Sequence, residues 1–166
     1  MTLHTSSGCE MSVKRKETGT VAYSDCSSAA NDNAGCGVKG ETSSYGADFN
    51  SAGGGVMAME LRDAGIRMWQ FARDSIPSDI TDQSPDPSSW GEAVADFPST
   101  DCNIGSHFQN QSIIVNIDVC GDWAGATSVY TDEYDCPDTC TTYASNGTVF
   151  EKAYWEFGSF WVYQAS

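Results

Sequence analysis

Ser112-Ile-Ile-Val-Asn-Ile-Asp-Val-Cys-Gly-Asp-Trp-Ala-Gly125 opens with the alternation of a strand and closes as a turn carrying a carboxylate and an indole. Ile113, Val115, Ile117 and Val119 fall on one face at a period of two, and Ser112, Asn116 and Asp118 on the other. This spacing predicts a half-buried strand over 112–119. Cys120 can tie down the strand end, and Gly121 and Gly125 allow a tight turn around Asp122 and Trp123. An acid beside a tryptophan at the mouth of a sheet suits a sugar, since the ring stacks on the apolar pyranose face and the carboxylate accepts from hydroxyls. The same indole could instead cap the core.

Outward from this stretch, Val56-Met-Ala-Met-Glu-Leu61 and Ile66-Arg-Met-Trp-Gln-Phe-Ala-Arg73 read as an antiparallel hairpin across the turn Arg62-Asp-Ala-Gly65. Residues 5–55 are dense in Ser, Gly, Thr, Asn and Asp and read as loops. Residues 74–103 hold four of the five prolines and read as a long connection, with Pro85-Asp-Pro-Ser-Ser-Trp-Gly91 as a turn cluster that Trp90 anchors. Ala153-Tyr-Trp-Glu-Phe-Gly-Ser-Phe-Trp-Val-Tyr163 reads as one or two aromatic strands bent at Gly158, with Trp155 and Trp161 in the core. Short strands, long Gly/Pro/Cys loops and no amphipathic helix predict an all-β sandwich.

The composition narrows the partners. A chain of 166 residues can bury a core of its own, and 40% hydrophobic residues set it apart from disordered chains. With 23 acids against 8 bases the formal charge is -15, which disfavours nucleic acid and anionic membranes and leaves a neutral polysaccharide compatible. No apolar run is long enough to span a membrane.

Seven cysteines predict an extracellular, disulfide-bonded protein. The sequons Asn110-Gln-Ser112 and Asn146-Gly-Thr148 predict glycosylation at Asn110 and Asn146. Met1-Thr-Leu-His-Thr-Ser6, however, is no signal peptide. Cys136 and Cys140, separated by a Pro-containing turn, are expected to pair, and so are Cys102 and Cys120, which flank the 112–119 strand. Cys9, Cys26 and Cys36 are expected to form one bond and leave one orphan. The Cys136-Pro-Asp-Thr-Cys140 spacing has no second Cys/His pair, so no metal site is expected.

An ordered set of motifs gives the chain a family resemblance. These are Met1-Thr-Leu-His-Thr5, Asn33-Ala-Gly-Cys-Gly-Val38, Ser44-Tyr-Gly-Ala-Asp-Phe-Asn50, Gly53-Gly-Gly-Val-Met-Ala-Met-Glu60, Ser89-Trp-Gly91, Cys102-Asn-Ile-Gly-Ser-His-Phe108, Cys120-Gly-Asp-Trp-Ala-Gly125 and Val162-Tyr-Gln164. With them the chain resembles the fungal glycoside hydrolase family 16 enzymes of laminarinase type, which act on β-1,3(4)-glucans. The resemblance implies a concanavalin A-like β-jelly roll of two antiparallel sheets with a glucan cleft across the concave one. It implies no cofactor, a monomer, and β-glucan as the partner.

Family enzymes carry Glu-x-Asp-x-x-Glu on one strand, with the first Glu as nucleophile and the last as acid/base of a retaining mechanism that needs carboxyl groups about 5 Å apart. That motif does not occur in these 166 residues, so no catalytic residue is assigned. Glu133-Tyr-Asp135-Cys-Pro-Asp138 has a similar spacing, but Pro137 cannot donate to a ladder, and the segment reads as an acidic loop.

In the family the catalytic strand lies just upstream of the Met-Thr-Leu-His-Thr segment. The resemblance therefore predicts that residues 1–166 are the C-terminal two-thirds of one catalytic domain, incomplete as a jelly roll: a fragment, or a gene model begun at an internal methionine. It further predicts that the missing third holds the signal peptide of an extracellular parent and a cysteine partner for the odd thiol.

By the same resemblance His4 faces the cleft, and Asp122 and Trp123 lie on a cleft-end loop. Glu60 matches a glutamate of the concave face, where ligand contact and a structural hydrogen bond are both open. His4, Glu60, Asp122 and Trp123 are the expected glucan contacts. Trp69 is expected in the core, Arg73 in packing or a surface ion pair, and His107 without a role.

Overall fold

The computed structural model describes residues 1–164 and divides the chain into two compact units, Met1–Gln111 and Ser112–Ser166. The first unit holds two three-stranded antiparallel sheets. One is built from β1 (Thr2–Leu3), β2 (Thr20–Val21) and β3 (Cys36–Lys39) in the order β1-β3-β2. The other is built from β4 (Gly55–Arg62), β5 (Gly65–Ala72) and β6 (Ala95–Pro98) in chain order. Three short helices accompany them: α1 (Gly46–Ser51) between β3 and β4, α2 (Ser78–Thr81) between β5 and β6, and α3 (Ile104–His107) after β6.

The expected hairpin is β4–β5, paired from Gly55↔Ala72 to Arg62↔Gly65. Its β-branched, Met and aromatic residues suit a pleated surface. Asp63 and Ala64 close the turn. A Cβ on Gly65 (φ +153°) would come within 2.8 Å of the Phe97 carbonyl oxygen, so glycine lets β6 lie against the turn. β6 sits in the region read as a connection, because four residues with two apolar side chains give only a faint alternation.

Register sorts the sheet into two faces. Ile66 faces Phe97 and Met68 faces Ala95; Ile66, Phe97 and Ala95 join Leu3, Met11, Val38, Ile104 and the Cys9–Cys102 and Cys26–Cys36 disulfides in the buried core, with partly buried Met68 packed against it. The other face carries Glu60 opposite Arg67, Ala58 opposite Trp69, and Arg67 opposite Asp96.

The disulfides correct the expected pairing. Cys9 bonds Cys102 across 93 residues, Cys26 bonds Cys36, and Cys120 bonds Cys140, leaving Cys136 as the free thiol. Cys9 and Cys102 meet in an antiparallel bridge that Glu10 N–H reinforces by donating to the Asp101 carbonyl at 3.1 Å. Cys102 is thus not available to Cys120, nor Cys140 to Cys136. For Cys9 and Cys102, backbone pairing rather than closeness in sequence selected the partners.

In the second unit the described residues form α4 (Thr127–Tyr130), α5 (Cys140–Ala144) and one 3-10 turn (Gly147–Phe150). The strand expected over 112–119 does not form. Its backbone pairs with no other described strand, and Ile113, Ile114, Val115, Ile117 and Val119 are all exposed. The aromatic strands expected over 153–163 are likewise absent. Trp155 and Trp161 are exposed rather than core, and the rings gather on one another instead, Trp155 on Phe157 at 5.9 Å and Phe157 on Phe160 at 4.5 Å between centroids. Alternation becomes a strand only when a neighbour completes the hydrogen-bond ladder.

Candidate functional site

The face of the β4–β5–β6 sheet turned away from the core carries a network of ion pairs centred on Glu60. Glu60, on β4, is held from two sides. Arg62 Nε donates to Oε1 at 3.1 Å, while Arg67 donates to Oε2 through Nε at 3.0 Å and Nη2 at 2.5 Å. The Glu60 side chain is 13% exposed, and the hydrogen-bonded ion pairs to Arg62 and Arg67 engage both of its oxygens. The Arg67 guanidinium also lies over the Trp69 ring, 5.1 Å from its centroid.

Trp69 is 2% exposed, as expected of a core residue. Its Nε1 donates to the Gly91 carbonyl at 3.3 Å, and Trp90 packs edge-on against it at 5.2 Å and against Phe71 at 5.5 Å. Trp90 anchors the proline loop, as expected, by donating Nε1 to Asp79 Oδ2 at 2.8 Å. The Asp86 N–H bonded to the same carboxylate, followed by that indole, holds the Asp79 carboxyl below its usual range. Among the described residues Arg73 makes no ion pair, and it donates Nε to the Gly53 carbonyl at 3.1 Å.

His4 follows β1, is exposed, and lies with Nδ1 3.1 Å from Asn33 Oδ1. His107, given no role from sequence, has Nδ1 3.1 Å from Ser6 Oγ. His4 and Glu60 both belong to the first unit but make separate contacts.

Asp122 and Trp123 belong to the second unit. Gly121 (φ +99°) turns the chain, and Gly125 N–H closes the turn on the Gly121 carbonyl at 3.0 Å. The Cys120–Cys140 bond fixes one end of that turn. Trp123 is 69% exposed and Asp122 is exposed beside it, so the core-capping alternative does not hold for this indole.

Asn110 and Asn146 are both exposed, and Asn146 Oδ1 accepts from Thr148 N–H at 3.1 Å and Thr148 Oγ1 at 2.8 Å. Among the described residues no group of three or more His, Cys, Asp or Glu is placed to hold a metal ion, and no helix is long and apolar enough to cross a membrane.

Comparison with known proteins places this geometry. Residues 1–163 match the family described as "XgeA-like, catalytic GH16 domain". A probable glycosidase of Schizosaccharomyces pombe is 48% identical over 99% of this chain, which spans 40% of that protein. The endo-1,3(4)-β-glucanase xgeA of Emericella nidulans is 38% identical over 98% of this chain, which spans 26% of it. Laminarinase 16A of Phanerochaete chrysosporium, solved with two β-glucans (6-O-glucosyl-laminaritriose) in its donor and acceptor sites, superposes with a TM-score of 0.82 at 41% identity. That match covers 88% of this chain and 50% of the laminarinase chain. The chain therefore spans half or less of each of these relatives.

Proposed function

Because the chain belongs to glycoside hydrolase family 16, in its XgeA-like group, and has the sheet architecture of that family's laminarinase jelly rolls, we propose that it is the β-glucan-binding part of an endo-1,3(4)-β-glucanase catalytic domain. The observation that carries this reading is the match at 41% identity and TM-score 0.82 to a laminarinase solved with β-glucan in both its donor and acceptor sites. Trp123 offers an exposed indole for stacking on a pyranose ring, and Asp122 an adjacent acceptor. His4 contributes an imidazole able to donate to or accept from a sugar hydroxyl. Glu60 contributes through the arginines that it orients.

The acid pair of a retaining glycosidase has no counterpart among these 166 residues, since no Glu-x-Asp-x-x-Glu occurs. This favours a second reading, a β-glucan-binding sandwich module that performs no hydrolysis itself. Three disulfides and two sequons at exposed asparagines support an extracellular, N-glycosylated protein. The test is calorimetric titration of the chain with laminarihexaose beside a reducing-sugar assay on laminarin and lichenan. Binding without turnover is expected; absence of binding overturns the reading.

A further inference from the structure

We propose that Arg67 and Asp96 form a hydroxyl-binding pair for one glucosyl unit on the polar face of the β4–β5–β6 sheet, an inference that rests on the β-glucan reading. The two residues are register partners on β5 and β6, so their side chains leave the sheet on the same side. Cβ atoms of such partners stand about 4.5–5.5 Å apart, close enough for an arginine and an aspartate to pair. They do not pair. Asp96 enters none of the ion pairs and no side-chain hydrogen bond among the described residues, although its backbone N–H donates to Glu17 Oε2 at 2.9 Å.

The reason lies on the other flank of β5. Glu60 draws the guanidinium toward β4 through Nε and Nη2, and the Trp69 ring supports it from below at 5.1 Å. Arg67 remains 41% exposed, and none of its hydrogen bonds engages Nη1. A fixed donor and an unneutralised acceptor thus stand side by side, with the rim of an aromatic cluster next to them. An anion would meet Asp96 and a cation would meet Arg67, so neither fits. A neutral molecule presenting adjacent hydroxyl groups satisfies both at once, one hydroxyl accepting from Nη1 and its neighbour donating to the carboxylate. Glu60 is then a positioning residue, acting through Arg67.

The test is titration of the 166-residue chain with laminarihexaose, comparing wild type with Arg67→Met and Asp96→Asn and recording thermal midpoints. Each variant is expected to weaken binding about tenfold, the loss of one charge-assisted hydrogen bond. Asp96→Asn should keep its midpoint within about 2 °C of wild type, because it breaks no ion pair. Should Arg67→Met fold poorly through the loss of its bonds to Glu60, Asp96→Asn decides alone. Variants that bind within about twofold of wild type overturn this inference and leave the glucan reading intact. A wild-type chain that does not bind laminarihexaose overturns both.

Discussion

Trp123 and Trp69 set two extremes for one residue type. Trp69 is buried under Trp90 and above the hairpin, so Trp69→Ala is expected to destabilise the first unit by about 3–5 kcal/mol. Trp123 keeps 69% of its surface in water and has little packing to lose. Trp123→Ala is therefore expected to leave the thermal midpoint near wild type while weakening laminari-oligosaccharide binding by about 1–3 kcal/mol. Melting curves and titration separate these outcomes, and a large fall in midpoint with unchanged affinity would return the indole to the core.

Asp79 gives a prediction in pH. Its carboxyl is held below 3.8, first by the Asp86 N–H and then by the Trp90 indole. A depressed folded-state value means that its contribution is present above about pH 3.8 and is lost as pH falls through the lower folded value. Trp90 fluorescence should change in that acid window, and Asp79→Asn should abolish the change.

At the scale of elements, the Cys9–Cys102 bond closes the longest covalent loop, 93 residues, and constrains almost the whole first unit in its unfolded state. Replacing both cysteines by serine is expected to cost about 2–5 kcal/mol, well above the cost for the short Cys26–Cys36 loop, as chemical denaturation of the two double variants would show. That bond was not legible in the sequence, because distant cysteines become neighbours only through backbone pairing. The β4–β5 hairpin was legible, since turn and alternation are both local. The 112–119 alternation was equally clear and formed no strand, because a ladder needs a partner that no local pattern supplies. The same split runs through the site. Trp90 as anchor could be read from its neighbours and Trp69 as core from the family resemblance, whereas the bond of Arg67 to Glu60 and the unpaired Asp96 side chain follow from cross-strand register. The β4 edge shows the cost of an incomplete ladder: Met57, Met59 and Leu61 continue the apolar face into solvent, with Met59 61% exposed.

For the molecule as a whole, the decisive question is whether sugar contacts alone can cleave a glycosidic bond. Retaining hydrolysis needs two carboxyl groups about 5 Å apart, one free to attack and one protonated at the working pH. Glu60 has both oxygens committed to Arg62 and Arg67 and cannot serve as a nucleophile without breaking those ion pairs. Glu133, Asp135 and Asp138, spaced most like the family motif, are all exposed and lie on no described strand that would aim them at one point. Binding residues can lower a barrier only by favouring the transition state over the ground state, and without an acid or a nucleophile there is no covalent or proton-transfer step for them to favour. The 166-residue chain is therefore expected to release no reducing sugar from laminarin or lichenan above a buffer blank, at concentrations where it binds laminarihexaose. Turnover by the pure chain that survives repurification and disappears in Glu133→Gln would show that the acidic loop supplies the chemistry; turnover that instead disappears in Glu60→Gln would place it on the sheet.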